Sequence, residues 1–514
     1  MNRWLYLLNI TWMSFLGVFG AVVLSVAMPS VQGDLGINST HSQWFSHAYL
    51  FGLFTAVPLS ARIATRKGYK FAFFWGSFVY IAANGLICCF NSFYPIVICR
   101  LFAGLGVGIL FPISLTMIAS VFEKNRLSFA IALYMAIAFG GGIGSGFIIG
   151  GVFTDLFGWK SAMLFSTLIG IPSLLLTWWK FQETEKKPLP PYDWVGYLSF
   201  VGFLVAFDVL INNVKLPWNT EGARSFFTMI TTTIGVVFFI IFLVNELKHE
   251  RPLFVLSQFK IRAFAIGCLA LFFVGSCLFG TASMFAKMLE TNFHYSKSAT
   301  GLFLAPSGFV IGIFGAASGL VNKWIHNRFL VMGGLLFIIV SCFMNHSITH
   351  LSSHSDLQMV LIIRSIGIGL SIGPTTALAL SKLSKETVVR GAMTLTAIRQ
   401  AGSSYGADLI ELIAQLRVKF NSSVFGASLD ANSAKYQEML GRLKIQLMNR
   451  GYSPQDAIAG AEELIAKNGV NQAEILALND GFFVLGILLS AALLAFVLAV
   501  LRALYLNRRA LRSN

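Results

Sequence analysis

Charge is what this chain has little of. Only 12% of its 514 residues are Asp, Glu, Lys or Arg, against roughly 25% in a soluble domain. A soluble globular class is excluded on that ground. The sequence also lacks the marks of ATP-driven and hydrolytic membrane proteins. A phosphate loop ends in Gly-Lys-Ser/Thr, and no Gly-Lys pair occurs anywhere. A helical zinc protease site needs His-Glu-x-x-His, and after His249-Glu250 the second His position is Leu253. The chain is therefore not read as an enzyme, and no cofactor or metal is expected. Cysteine is sparse too. Cys88, Cys89, Cys99, Cys268, Cys277 and Cys342 all fall in apolar runs, so they are expected to pack as small apolar residues and not to form a disulfide framework.

What the sequence has is hydrophobicity in long runs. Hydrophobic residues make up 56%, in about fourteen runs near the ~20 residues that cross a bilayer as a helix. They lie near 8–29, 44–63, 71–91, 95–121, 129–151, 161–181, 194–213, 225–247, 263–286, 299–321, 329–347, 358–381, 391–415 and 479–502. The first run lacks a small-residue cleavage site and is expected to stay as a spanning helix. A net charge of +16 could indicate nucleic acid, but most of the 38 Lys and Arg sit in loops on the N-terminal side of the spans. Arg62, Arg66, Lys67 and Lys70 crowd one turn there. Short basic loops stay in the cytoplasm, so the surplus signals topology. A multi-pass membrane protein with both termini cytoplasmic is expected.

Two stretches rich in charge, 182–193 and 248–262, bracket the seventh and eighth runs. They predict a bundle over 1–185, a linker with two extra spans over 186–250, and a second bundle over 251–514. The bundles look duplicated. Arg100, Gly104, Gly106, Gly108 and Pro112 in the fourth run are echoed by Arg364, Gly367, Gly369 and Pro374 in the twelfth. Such six-helix repeats build transporter halves with a site between them. The long polar loop 417–478 has helical spacing over Tyr436–Leu447, a stop at Gly451, and a second start at Ser453-Pro454 that is expected to end near Gly469. It predicts a small helical cap on the outer, periplasmic side.

Several motifs together resemble the fourteen-helix drug:proton antiporter branch of the major facilitator superfamily, most closely its EmrB-type pumps. In the first bundle these are Ala27-Met-Pro29, Gln43-Trp44, Arg100-x3-Gly104-x-Gly106, and Gly150-Gly151-x3-Asp155-x3-Trp159. Later pieces are Glu250-Arg251-Pro252-Leu253, Arg399-Gln400-x-Gly402-Ser403-x2-Gly406, and Asn479-Asp480-Gly481-Phe482. The resemblance covers nearly the whole chain. It implies an all-α major facilitator fold and gradient-driven efflux of small organic molecules, with a periplasmic adaptor as a candidate partner. Three departures stand against it. Gly20 replaces the branch's usual first-span Asp. In the loop after the second span, Ala61 and Thr65 replace a Gly and an Asp, while Arg66 and Gly68 remain. Phe147 replaces the Pro of the fifth-span antiporter motif.

The residues expected to act follow from what a membrane tolerates. Gly142, Gly146 and Gly150 lie four apart, crossed by Gly140, Gly141, Gly144 and Gly151. Small residues at this spacing permit close helix approach, either as a sliding contact between bundles or as static packing. Intramembrane Arg is costly and normally faces a cavity or a partner. Arg100, Arg364 and Arg399 are therefore candidates for proton coupling, or for structural bonding to backbone carbonyls. Asp408 and Glu411, three apart, could carry the proton that Gly20 cannot, unless they lie in solvent near the outer interface. Asp208, on an extra helix, is expected to pair with Asn212 or Asn213. Tyr49, Phe54, Phe111, Tyr134 and Phe139 are the candidates for a cavity wall. Two other functions stay open: an importer or facilitator, for example of a siderophore, and a non-transporting sensor descended from a transporter.

Overall fold

A computed structural model describes residues 3–122, 124–184, 192–214, 225–249, 252–322, 324–349, 351–383, 388–428 and 433–512. Among them there is no β-strand. The apolar runs become helices α1 (Arg3–Leu35), α2 (Ser39–Lys67), α3 (Tyr69–Ile87), α4 (Phe93–Val121), α5 (Lys124–Tyr134), α6 (Gly142–Phe157) and α7 (Lys160–Lys180). The two extra helices are α8 (Trp194–Val214) and α9 (Phe226–Lys248). Then follow α10 (Arg262–Gly275), α11 (Thr281–Thr291), α12 (Lys297–Val321), α13 (Asn327–Asn345), α14 (His354–Leu380), α15 (Val388–Ser428), α16 (Ala434–Met448) and α17 (Pro454–Arg512). Two pairs are single spans carried through a π-helical turn. Met135–Gly141 joins α5 to α6, and Ser276–Gly280 joins α10 to α11.

Eleven of the described helical stretches are long and apolar enough to cross a membrane. Three of the expected runs are not among them: those now seen in α2, in α10 with α11, and in α15. α2 carries His41, Gln43 and His47, and α15 carries Arg399, Gln400, Asp408 and Glu411, whereas the described part of the α10 run, Arg262–Leu278, is apolar and only shorter.

The duplication seen in the motifs reappears in the packing. On α4, β-carbons built on Gly104 and Gly108 would overlap the backbone of α2, and one on Gly106 would overlap that of α3. On α14, Gly367 lies against α13 and Gly369 against α12 in the same way. Alternating glycines thus let the fourth helix of each half sit against the second and third at once.

Where the chain turns from α2 to α3, Gly68 takes φ +103, a conformation that strains any side chain. The Glu183 carboxylate fills the space a β-carbon would need and accepts hydrogen bonds from the Lys70 and Phe71 amides at 3.0 Å. It satisfies the start of α3. Arg66, in the last turn of α2, is exposed.

The cap departs from expectation. Ser453 caps α17 by accepting from the Asp456 amide, but Gly469 does not end that helix, which runs unbroken to Arg512. A single mid-helix Gly costs about 1 kcal/mol. The buried Ala473, Ile475 and Ala477 beyond it offset that cost. At the other side, α15 extends past the expected end at 415 to Ser428. The cap is therefore two prolonged spans with α16 beside them, and Leu447, Ala457 and Ala461 form its small core.

The linker helices are tied down. Asp193 accepts from the Gly196 amide at 2.8 Å and from Asn245 at 2.6 Å. Glu246 accepts from the Leu253 and Phe254 amides at 3.2 Å. α8 packs on α9 and also reaches α2 and α15. Expected features at Lys187, Glu250 and Arg251 lie outside the described residues.

Candidate functional site

The first and second halves of the chain meet mainly along two seams, with smaller contacts of α1 on α11 and α12 and of α4 on α15. One seam is α6, with its π turn and α5, against α12. The other is α2 against α15.

The first seam is built of glycines, though not the expected set. Gly142, Gly146 and Gly150 face α1 inside their own half. A β-carbon on Gly146 would stand 3.3 Å from the Val22 side chain, and one on Gly150 would stand 2.6 Å from the Val23 carbonyl oxygen. The sliding-contact expectation for this row is corrected, because a helix presents different neighbours to different faces. The contact between halves belongs to the crossing set: Gly140 against Gly312, Gly144 against Gly308, and Gly151 against the Lys297 carbonyl. A β-carbon on Gly312 would lie 2.7 Å from both the Ala136 carbonyl oxygen and the Gly140 α-carbon. At the C-terminus of α6, Asp155 accepts from the Ser298 amide at 2.8 Å and from its hydroxyl at 2.5 Å, pinning the start of α12.

The second seam carries polar groups. Gln43 donates to the Glu411 carboxylate at 2.7 Å. One turn further along α2, His47 lies between two acids. Its Nδ1 is 3.1 Å from Asp208 Oδ1 on α8, and its Nε2 is 3.5 Å from Asp408 Oδ1 on α15. All three residues are buried. Next along α2, Phe54 stacks on Tyr405 of α15 at 6.2 Å, and Phe207 of α8 meets the same ring at 4.6 Å. These contacts fall in the N-terminal half of α2, so the halves are shut together at that end.

Asp408 and Glu411 are therefore not equivalent. Asp408 is buried, while the Glu411 side chain is 18% exposed and has Lys287 Nζ at 4.0 Å. Asp208 is not peripheral: it points at His47, and the expected Asn212 and Asn213 side chains lie outside the described ones. His47 itself was missed in the sequence. The signal was present, since any ionisable residue inside an apolar run marks a site by default. His47, Asp208 and Asp408 also form a grouping of metal-ligand make-up, with one ligand atom from each within 4.8 Å of the others.

The three arginines have different surroundings. Arg100 is fully buried and donates from Nε to the Phe45 carbonyl at 3.2 Å and from Nη2 to the Gly20 carbonyl at 2.9 Å. It also lies 4.3 Å over the Tyr49 ring. Tyr49 in turn donates to the Gly17 carbonyl at 2.5 Å, so it packs inside the first half instead of lining a cavity between halves. Arg364 lies 4.6 Å over Phe285 and 5.4 Å over Phe482. Arg399, on α15, reaches across the seam to lie 5.2 Å over Phe139. Phe139 meets Phe111 at 5.7 Å and Tyr134 at 6.5 Å. Of the expected wall residues, Phe54 and Phe139 thus make contacts across the halves, with Phe111 behind Phe139, while Tyr134 is fully buried. Among the described residues, no carboxylate lies within 4.0 Å of any of these arginines.

Residues 10–407 match the family model described as Major Facilitator Superfamily. The chain is 23% identical to the Multidrug export protein EmrB of Escherichia coli (strain K12), over 91% of this chain and 90% of that one. It is 24% identical to the uncharacterized MFS-type transporter YhcA of Bacillus subtilis (strain 168), over 91% and 87%. It is 23% identical to the Fatty acid resistance protein FarB of Neisseria gonorrhoeae, over 89% and 91%. Among solved structures it is similar to a bacterial homolog of the human lysosomal transporter Spinster, with a TM-score of 0.61 at 16% identity over 97% and 96% of the two chains. A POT family transporter in complex with 5-aminolevulinic acid gives 0.61 at 14%, over 96% and 95%.

Proposed function

The chain belongs to the Major Facilitator Superfamily of membrane transporters, and on that premise we propose that it exports small organic molecules in exchange for protons. In this reading, bundles at 1–185 and 251–514 rock about a site between them, and the linker 186–250 adds two spans. Basic short loops put both termini in the cytoplasm of a bacterial cell, with the α2 N-terminus and the helical cap outside. Relatives named for multidrug export and fatty acid resistance support efflux. The cap formed by α15, α16 and α17 is the surface we assign to a periplasmic adaptor.

The observation that carries the proposal is the trio His47, Asp208 and Asp408. A neutral imidazole has one N–H and one lone pair. With both nitrogens facing carboxylate oxygens, a further proton, held as an imidazolium or as one protonated carboxyl, lets each nitrogen share a hydrogen bond with the oxygen it faces. Loss of that proton sets a lone pair against a carboxylate and weakens a contact between different helices. Because Asp408 is on α15 and His47 on α2, proton release loosens the seam that shuts the outer end. Protonation and opening are then linked, as exchange requires.

Inverted vesicles from cells producing the protein test this, with ethidium and 1-naphthylacetate as probes. An acid-inside gradient drives accumulation of at least one probe, and EDTA leaves it unchanged if protons alone occupy the trio. Asp208→Asn with Asp408→Asn abolishes gradient-driven accumulation while probe binding stays measurable. If the double variant still accumulates probe under the gradient, the trio is not the coupling site.

Uptake is the second reading. It is favoured by Phe147, which stands where the antiporters it resembles carry Pro. Probe movement in right-side-out vesicles decides the direction.

A further inference from the structure

Arg399 has a charge that the fold leaves unanswered. It is 7% exposed, and its Nη1 has no hydrogen-bond partner among the described residues. The nearest acid along its own helix on the seam, Asp408, is nine residues on, about 13 Å at 1.5 Å per residue. Arg100 Nη1 is unmatched too, but Nε and Nη2 of Arg100 are held by carbonyls of its own half. Arg364 also has unmatched nitrogens, Nη1 and Nη2, but its rings, Phe285 and Phe482, both come from its own half. Arg399 alone of the three spans the halves, from α15 to the π turn at Phe139.

A buried cation without a partner is costly. Lying over a ring face, a guanidinium gains attraction to the ring while its N–H edge stays available. That edge fits a planar carboxylate with two parallel hydrogen bonds. Beside it, Phe139 and Phe111 meet ring to ring at 5.7 Å and supply apolar surface next to the guanidinium. A π-helical turn supplies Phe139, and such turns recur where a helix is adapted to a ligand.

We propose that Arg399 is the anion-binding residue of the transport site, and that the cargo is an amphipathic carboxylate whose apolar body lies against Phe139 and Phe111. This rests on the reading that the two halves enclose a transport site. It adds the chemical class of the cargo. It also separates two tasks along α15: the acid–His trio takes the proton and Arg399 takes the anion.

The test uses the full-length protein in lipid nanodiscs with three probes of one shape: 1-naphthylacetate, 1-naphthylmethylammonium and 1-naphthalenemethanol. The wild type binds the carboxylate at least about tenfold more tightly than the ammonium, the range expected of charge-assisted hydrogen bonds. Arg399→Gln weakens carboxylate binding about 10- to 100-fold and leaves the alcohol unchanged. Arg399→Lys recovers part of the loss, because charge returns without the planar fork. Phe139→Ala weakens all three probes. Equal or tighter binding of the ammonium by the wild type overturns the proposal, whether or not the variants fold. So does a folded Arg399→Gln protein that keeps the carboxylate preference. Gradient-driven flux of the wild type is recorded separately. Absent flux with intact carboxylate preference defeats proton exchange and leaves the anion assignment standing, and flux without preference does the reverse.

Discussion

Gly312→Ala is the smallest change that should separate the two glycine rows. The added methyl would stand 2.7 Å from the Ala136 carbonyl oxygen and 2.7 Å from the Gly140 α-carbon. Both obstacles are backbone, so no rotamer can move them aside. The helices must part by several tenths of an ångström along a seam held by dispersion, which falls off steeply over that distance. Overpacking of this kind costs about 1–3 kcal/mol. At 1.36 kcal/mol per factor of ten, about 2 kcal/mol against the closed seam lowers its share of the ensemble roughly thirtyfold. Gly146→Ala is the matched control, since its methyl would meet the Val22 side chain at 3.3 Å inside one half. Probe efflux from cells, with membrane protein levels equalised by immunoblot, should fall about tenfold or more for Gly312→Ala and stay within about twofold for Gly146→Ala. Equal activity of the two variants would refute the assignment of the seam to Gly140, Gly144, Gly308 and Gly312.

Two further outcomes follow from the described contacts. Arg100→Lys should lower the melting temperature of the purified protein without changing which pH gradient drives flux, because Lys cannot reach the Phe45 and Gly20 carbonyls as a fork and cover the Tyr49 ring; a shifted pH profile with unchanged melting would contradict a structural Arg100. Reporter fusions at Lys187 and Lys435 should read opposite sides of the membrane, as the Lys and Arg distribution requires; one side for both would undo the proposed orientation.

How much of this was legible in the sequence depended on the kind of signal. Apolar length marked the helices, and the Arg–Gly–Pro echo between α4 and α14 marked the duplication. Both depend on local properties of one strip of chain. The cap was half legible. Ser453 and Gly451 gave the correct start of α17, but Gly469 read as a stop because propensity cannot see Ala473 and Ile475 packing beyond it. The site was less legible still. Periodicity places Gly142, Gly146 and Gly150 on one face without saying that the neighbour is α1. Asp208 looked peripheral because it is on a helix outside the duplicated halves. Only the path of α8 past α2 and α15 brings it to His47. The polar residues of α2 and α15 that form the proposed site also depress the mean hydropathy of those helices, which weakens their spanning signal.

The loss of acid at position 20 then has a physical account. A β-carbon on Gly20 would stand 2.6 Å from the Tyr80 hydroxyl. That hydroxyl donates to the Leu16 carbonyl at 2.5 Å, and the Gly20 carbonyl itself takes Arg100 Nη2. The space a first-span carboxylate would need is occupied by a phenol, and two nitrogens of the nearby arginine are held by backbone carbonyls. Restoring Asp at 20 would therefore crowd Tyr80. A titratable group for this fold has to come from another helix. The groups that α2, α8 and α15 bring together are buried, lie on different elements, and meet at the seam that opens. In the proposed exchange α8 is more than a spacer, because it contributes Asp208 to the trio from outside the two bundles. The same crowding predicts that Gly20→Asp leaves the trio's role intact, and flux in a Gly20→Asp, Asp408→Asn protein should remain uncoupled from the pH gradient. Recovery of coupled flux in that double variant would show that Tyr80 can yield and that the first-span position still serves this chain.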